Sequence, residues 1–171
     1  EICSKDFWAH INLGSIYEEL NVLDKAYRRF SKAVEIDPNH YMALFNMAVI
    51  YKKLNVLDKS KVYYERAIEK NLGYPYSFLN LAIIYKDEGK IDKAIEILSR
   101  GIKFNPDCGF LFYNRSCFNA LKGEIGCAID DLIKAVELYP KFIDYIKKDN
   151  ELEMVRESLK FKEYVKSNYG L

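Results

Sequence analysis

The hexapeptide Leu20-Asn21-Val22-Leu23-Asp24-Lys25 recurs unchanged at Leu54-Asn55-Val56-Leu57-Asp58-Lys59, 34 residues further on. An internal period of this size marks a stack of small supersecondary units, none of which buries its apolar face alone. The same offset divides the chain into units 7–40, 41–74, 75–108 and 109–142, with an N-terminal extension 1–6 and a C-terminal segment 143–171.

Each unit reads as two helices. In the first helix of the first unit His10, Leu13, Gly14 and Tyr17 share one face at helical spacing. Leu44, Met47, Ala48 and Tyr51 repeat it, as do Phe78, Leu81, Ala82 and Tyr85. Gly14, Ala48, Ala82 and Ser116 form a column of small residues that lets two helices approach closely. The second helix carries Ala26, Phe30, Ala33, then Ser60, Tyr64, Ala67, then Ala94, Leu98, Gly101, then Ala128, Leu132, Ala135. Alternating large and small side chains suit interlocking antiparallel helices.

The punctuation agrees. Asn21, Asn55, Gly89 and Gly123 occupy one column between the paired helices, and these types tolerate the left-handed conformation that closes a helix. Asp24, Asp58 and Asp92 stand three residues on, where they are expected to cap the second helix; Gly126 is the fourth member. Pro38, Pro106 and Pro140 end units, Leu72 being the exception, and Pro75 suits the first turn of the third unit.

This pattern resembles the tetratricopeptide repeat family over 7–142. Leu13, Gly14, Tyr17, Ala26, Phe30, Ala33 and Pro38 follow its consensus closely. The resemblance implies an all-α fold, a right-handed solenoid of antiparallel helix pairs whose concave groove takes another polypeptide. Ser60, Leu72, Gly101, Arg115 and Asn119 depart from the consensus. Arg115 falls on a packing face where an unpaired charge is costly, and Asp131 replaces Arg29, Tyr63 and Ile97 in a column of the following helix. An Arg115–Asp131 pair is therefore expected.

The resemblance places a second face of each first helix in the groove. Its columns are Trp8, Met42, Tyr76, Phe110; Ile11, Phe45, Leu79, Tyr113; Asn12, Asn46, Asn80, Asn114; and Ser15, Val49, Ile83, Cys117. An Asn amide donates and accepts, so the asparagine column can pair with the backbone of an extended peptide; the competing role is a hydrogen bond between neighbouring units. Family members that bind the acidic C-termini of heat-shock chaperones clamp the terminal carboxylates with Lys and Arg on this face. Asn46 matches that pattern, but Ile11, Ser15, Tyr76 and Asn80 replace the basic partners. Shifting the pattern by one unit meets Phe45, Val49, Phe110 and Asn114 instead. The expected ligand is an apolar or aromatic peptide or helix. The alternative is self-assembly, as a homodimer or by the chain's own C-terminal segment filling the groove.

Residues 143–171 leave the register but keep helical spacing at Leu152, Val155, Leu159 and at Phe161, Tyr164, Val165. The segment reads as one or two capping helices over the last stacking face; the competing reading folds it back into the groove.

Composition narrows the function class. With 26 basic and 25 acidic residues the chain carries no broad positive face for nucleic acid or an anionic membrane. No phosphate-cradling Gly loop, HExxH or nucleophile elbow occurs, so no enzyme, cofactor, metal or small-molecule substrate is expected. Gly123-Glu124-Ile125-Gly126 has the form of a GxxG loop, but it is acidic and lies at a helix turn. Glu1–Asp6 has neither a basic nor an apolar stretch, so no signal peptide is expected there. Cys3, Cys108, Cys117 and Cys127 form no CxxC pair, which predicts reduced thiols and a cytoplasmic setting.

Overall fold

The computed structural model describes residues 2–170, with side chains from Lys5 to Gly170. Its helices are α1 (Ile2–Glu19), α2 (Leu23–Ile36), α3 (Tyr41–Lys53), α4 (Leu57–Lys70), α5 (Pro75–Asp87) and α6 (Ile91–Phe104), then α7 (Gly109–Lys122), α8 (Ile125–Leu138) and α9 (Phe142–Ile146). A 3-10 turn (Asn150–Leu152), α10 (Glu153–Arg156) and α11 (Leu159–Tyr169) follow. No strand occurs among the described residues. Helix α1 starts inside the stretch expected to be an extension; the side chain of Cys3 lies outside the described residues. The chain divides within α5 into two compact units, Glu1–Leu81 and Ala82–Leu171.

In the first unit α1 packs on α2, α2 on α3, and α3 on α4. Phe7, Ile11, Ala26, Phe30, Ala33, Ala43, Met47, Ile50 and Tyr51 form one buried cluster. The small-residue column acts as its position requires. A Cβ on Gly14 would lie 2.5 Å from the Phe30 ring, so glycine is what lets α1 and α2 close together. Ser60, fully buried in place of the usual alanine, donates its hydroxyl to the Ala48 carbonyl at 2.8 Å and leaves no orphaned polar group.

The turns follow the sequence in one respect and depart from it in another. Asn21 and Asn55 adopt left-handed backbone, with φ of 56° and 58°. The aspartates, by contrast, do not cap. The N-cap positions belong to Val22, Val56 and Lys90, none with a side-chain cap bond, and Asp24, Asp58 and Asp92 sit inside the first turn. The turn residue is held through its own backbone: Val22 N–H donates to the Tyr17 carbonyl at 2.8 Å, and its carbonyl receives Ala26 N–H at 3.1 Å. The helix therefore starts one residue ahead of each aspartate, which is left favouring the positive end of the helix dipole.

In the second unit α6 packs on α7 and α7 on α8. Gly89 and Gly123 are left-handed, with φ of 75° and 85°. Ser116 bonds the Ala128 carbonyl at 2.7 Å, the mirror of the Ser60 arrangement. The expected charge pair is present. Arg115 Nε and Nη2 reach the two carboxylate oxygens of Asp131 at 2.8 and 2.6 Å, Arg115 Nη1 bonds Ser99 at 2.9 Å, and Asn119 donates to Asp131 at 3.1 Å. Ser99 and Asn119 thus complete a polar cluster around the Arg115–Asp131 pair.

The C-terminal segment is broken by side-chain caps. Asp149 accepts from Glu151 N–H at 3.0 Å and Ser158 from Phe161 N–H at 3.3 Å, so no helix runs through either point. The 3-10 turn lies against α7, and α9, α10 and α11 lie against α8. Leu152, Val155 and Phe161 are buried as their spacing predicts. Leu159 is 72% exposed, because it opens α11 just after the Ser158 cap and faces away from α8. No helix among the described residues is long and apolar enough to cross a membrane.

Candidate peptide-binding face

In the first unit the residues expected on the groove face are α1 Trp8, Ile11 and Asn12, α3 Met42, Phe45, Asn46 and Val49, and the start of α5, Tyr76, Leu79 and Asn80. Trp8 and Tyr76 are 43% and 48% exposed. Asn12 is exposed, and Met42, Phe45, Asn46, Val49, Leu79 and Asn80 are half-buried. Ile11 departs from expectation: it is 3% exposed and belongs to the core cluster with Ala43 and Met47 of α3. The neighbouring first helix covers that position, which helical spacing alone does not reveal.

Between Trp8 and Tyr76 runs a continuous row of rings. Trp8 meets His40 edge-on at 5.4 Å, His40 stacks on Tyr41 at 5.3 Å, Tyr41 tilts against Tyr74 at 5.1 Å, and Tyr74 against Tyr76 at 5.5 Å. Phe45 meets Tyr74 edge-on at 5.1 Å and Tyr64 at 5.6 Å. Edge-to-face pairs of this kind add about 0.5–1.5 kcal/mol each beyond simple burial. His40 is fixed in the row because its Nδ1 accepts from Met42 N–H at 3.3 Å and so caps α3. Burial first, then the neighbouring Tyr41 and Tyr76, raises the Tyr74 phenol above its usual range. The sequence reading missed His40, Tyr41 and Tyr74. His40, Tyr74, Cys108 and Phe142 recur at the 34-residue offset, and that column was the signal available.

In the second unit Ile83, Phe110 and Asn114 are half-buried, and Tyr113 is drawn into the C-terminal segment. Its hydroxyl bonds Asp149 at 2.5 Å and its ring stacks on Phe142 at 5.1 Å. Phe45–Tyr74 and Tyr113–Phe142 are the same pair of columns, in each case a first-helix ring met by the last residue of its own repeat. Cys117 is 4% exposed with Sγ 3.9 Å from Asp149. Burial, then the Asp149 and Glu151 carboxylates, pushes its thiol pKa up, as suits a packing residue.

At two members of the asparagine column the amide bonds within its own helix and not to a neighbouring unit. Asn80 donates to the Tyr76 carbonyl at 3.0 Å and Asn114 to the Phe110 carbonyl at 2.8 Å, each one turn back in its own helix. Such back-bonding occupies one amide proton and fixes the side chain along the helix.

Tetratricopeptide repeat models match residues 9–40, 30–60 and 75–108. The chain belongs to the tetratricopeptide repeat family. Among solved structures, MamA matches at a TM-score of 0.71 with 17% identity, covering 98% of this chain and 97% of that one. TTC0263, a thermophilic repeat protein of Thermus thermophilus, matches at 0.68 with 20% identity, covering 96% and 88%. YrrB, described as a repeat protein with an unusual peptide-binding site, matches at 0.65 with 18% identity, covering 92% and 84%. Identities this low establish the shared fold, an α-solenoid of tetratricopeptide helix pairs. No curated protein sequence matches the chain.

That fold is a protein–protein interaction scaffold, and the residues of this repeat chain suit the role. Among the described residues no group of His, Cys, Asp and Glu is placed to hold a metal ion. Glu18, one of two adjacent carboxylates in the sequence, forms an ion pair with Lys53 and is tied to structure.

Proposed function

We propose that the chain is a non-catalytic scaffold of four repeat units, 7–40, 41–74, 75–108 and 109–142, capped by 143–171, and that it binds an apolar or aromatic peptide segment of a partner protein. The binding face is the first-helix surface of residues 1–81, built on Trp8, Met42, Phe45, Val49, Tyr76 and Leu79. The single observation that carries this reading is the ring row from Trp8 to Tyr76, exposed at both ends and containing no Lys, Arg, Asp or Glu. Aromatic side chains lose little rotamer freedom on binding and dominate peptide and protein interfaces. Asn46 and Asn80 keep an amide oxygen to receive the ligand's backbone N–H groups.

A second reading, in which the chain's own tail fills the groove, is favoured by one observation: Asp149 already engages Tyr113. It bears on α7 and leaves the row of the first unit to a ligand. The test is binding of peptides selected from a random library. Tyr76→Glu is the most informative variant, because Tyr76 is half in solvent, whereas Phe45 is packed on Tyr64 and Tyr74 and its replacement also perturbs the fold. Selected peptides rich in Leu, Phe, Trp or Tyr that weaken at least tenfold on Tyr76→Glu support the proposal. Unchanged affinity moves the site off this face.

A further inference from the structure

Away from the ring row, helix α2 carries a feature the proposed function does not use. Lys25, Arg28, Arg29 and Lys32 lie at i, i+3, i+4 and i+7, which puts all four cations along one stripe. The equivalent positions of α4 are Lys59, Val62, Tyr63 and Arg66, and those of α8 are Cys127, Asp130, Asp131 and Lys134. The stripe therefore belongs to α2 and not to the repeat. The repeat fold demands none of it, because the buried face of α2 is Ala26, Phe30 and Ala33.

The stripe borders a surface cleft of about 550 Å³ lined also by Tyr17, Tyr27, Ser31 and Glu35. Glu35 is the one carboxylate in that lining, and Lys32 holds it at 2.6 Å. Lys25 sits over the Tyr17 ring at 5.3 Å. The side chains of Arg28 and Arg29 have no hydrogen bond or ion pair with any described residue. Two guanidinium groups stand unpaired beside Tyr27, which is 38% exposed. Tyr27 meets Tyr51 edge-on at 6.0 Å, and Tyr51 meets Tyr63 at 5.3 Å, so an aromatic wall continues from the cleft.

From this charge complementarity we infer that the α2 cleft is a second docking site, and that its occupant is an acidic peptide segment of a partner protein carrying an aromatic residue among its carboxylates. Unpaired arginines present planar forks suited to carboxylates. The tyrosine edges receive the aromatic side chain of the segment. A nucleic acid fits less well, because the stripe spans only two helical turns and the chain's net charge is +1. The site is separate from the ring row and stands whether or not that row binds a ligand.

The probe is a fluorescein-labelled peptide with Glu at i, i+3, i+4 and i+7 around a central Tyr, read by fluorescence anisotropy at 50 mM and 300 mM salt. Saturable binding is expected at low salt and weaker binding at high salt. Arg28→Glu/Arg29→Glu is expected to weaken it at least tenfold, and the neutral Arg28→Gln/Arg29→Gln by a smaller factor. Tyr76→Glu, which tests the ring row, is expected to leave it unchanged. Both arginine variants alter solvent-facing groups, and circular dichroism confirms that they fold. Equal affinity for the matching Gln peptide overturns the inference, as does equal binding by the charge-reversed variant. Tighter arginine-dependent binding of a single-stranded oligonucleotide than of the peptide overturns the choice of an acidic segment.

Discussion

Removing one member of the Arg115–Asp131 pair should cost far more than removing both. Asp131 receives three hydrogen bonds, two from Arg115 and one from Asn119, and its side chain is 9% exposed against 22% for Arg115. Asp131→Ala strands a guanidinium on a packing face with Ser99 as its remaining partner. Breaking a buried pair from one side costs about 3–5 kcal/mol. The residual exposure of Arg115 and its Ser99 bond place this variant at the lower end, about 3 kcal/mol. For a chain of this length that lowers Tm by about 6–12 °C. Other units supply the apolar alternative, with Leu13 and Leu81 in the Arg115 column and Ile97 in the Asp131 column. The double variant Arg115→Leu/Asp131→Ile should therefore return to within about 1 kcal/mol of the parent, the remainder being Asn119 left without its acceptor. Urea unfolding of parent, single and double variants completes a double-mutant cycle. Single variants that each cost under about 1 kcal/mol, with no coupling between them, would refute the reasoning.

Three further outcomes follow from particular residues. Tyr64 is fully buried with no hydrogen-bond partner for its hydroxyl, so Tyr64→Phe should raise stability by about 1 kcal/mol in urea unfolding. Gly14→Ala should destabilise by about 1–3 kcal/mol through the Phe30 clash, and Phe30→Leu in the same chain should recover much of it, as Ala82 with Leu98 does in the third unit. Burial, then Tyr27, pushes the Tyr51 phenol up to about 12 from its ordinary value of 10.0. Folding then holds that proton where the unfolded chain loses it. The Tyr51 contribution is complete below pH 10 and is lost as pH rises from 10 through 12, so Tm should fall in that window and fall less in Tyr51→Phe.

What the sequence made legible was whatever a fixed offset exposes. Asn21 and Asn55 could be read as left-handed because Gly89 and Gly123 share their column, and all four adopt that backbone. Arg115 and Asp131 could be paired because Arg115 broke an apolar column and Asp131 brought the one carboxylate into the column of the following helix. The aspartate caps failed because the backbone of Val22 and its equivalents settles where the helix starts before a side chain competes. Ile11 could not be placed because periodicity defines a face but not what covers it. The link from Tyr113 to Asp149 joins a repeat to a segment outside the register, where no offset applies. The ring row was half-visible: its ends, Trp8 and Tyr76, lie in the groove columns, while His40 and Tyr74 fall in the connections between units.

The most direct test of the scaffold reading is the affinity of library-selected peptides for the parent, Tyr76→Glu and Arg28→Glu/Arg29→Glu, measured side by side. Binding at the ring row predicts apolar, aromatic-rich peptides that weaken at least tenfold on Tyr76→Glu and keep their affinity in the arginine variant. Selected peptides whose affinity is indifferent to Tyr76→Glu would contradict it.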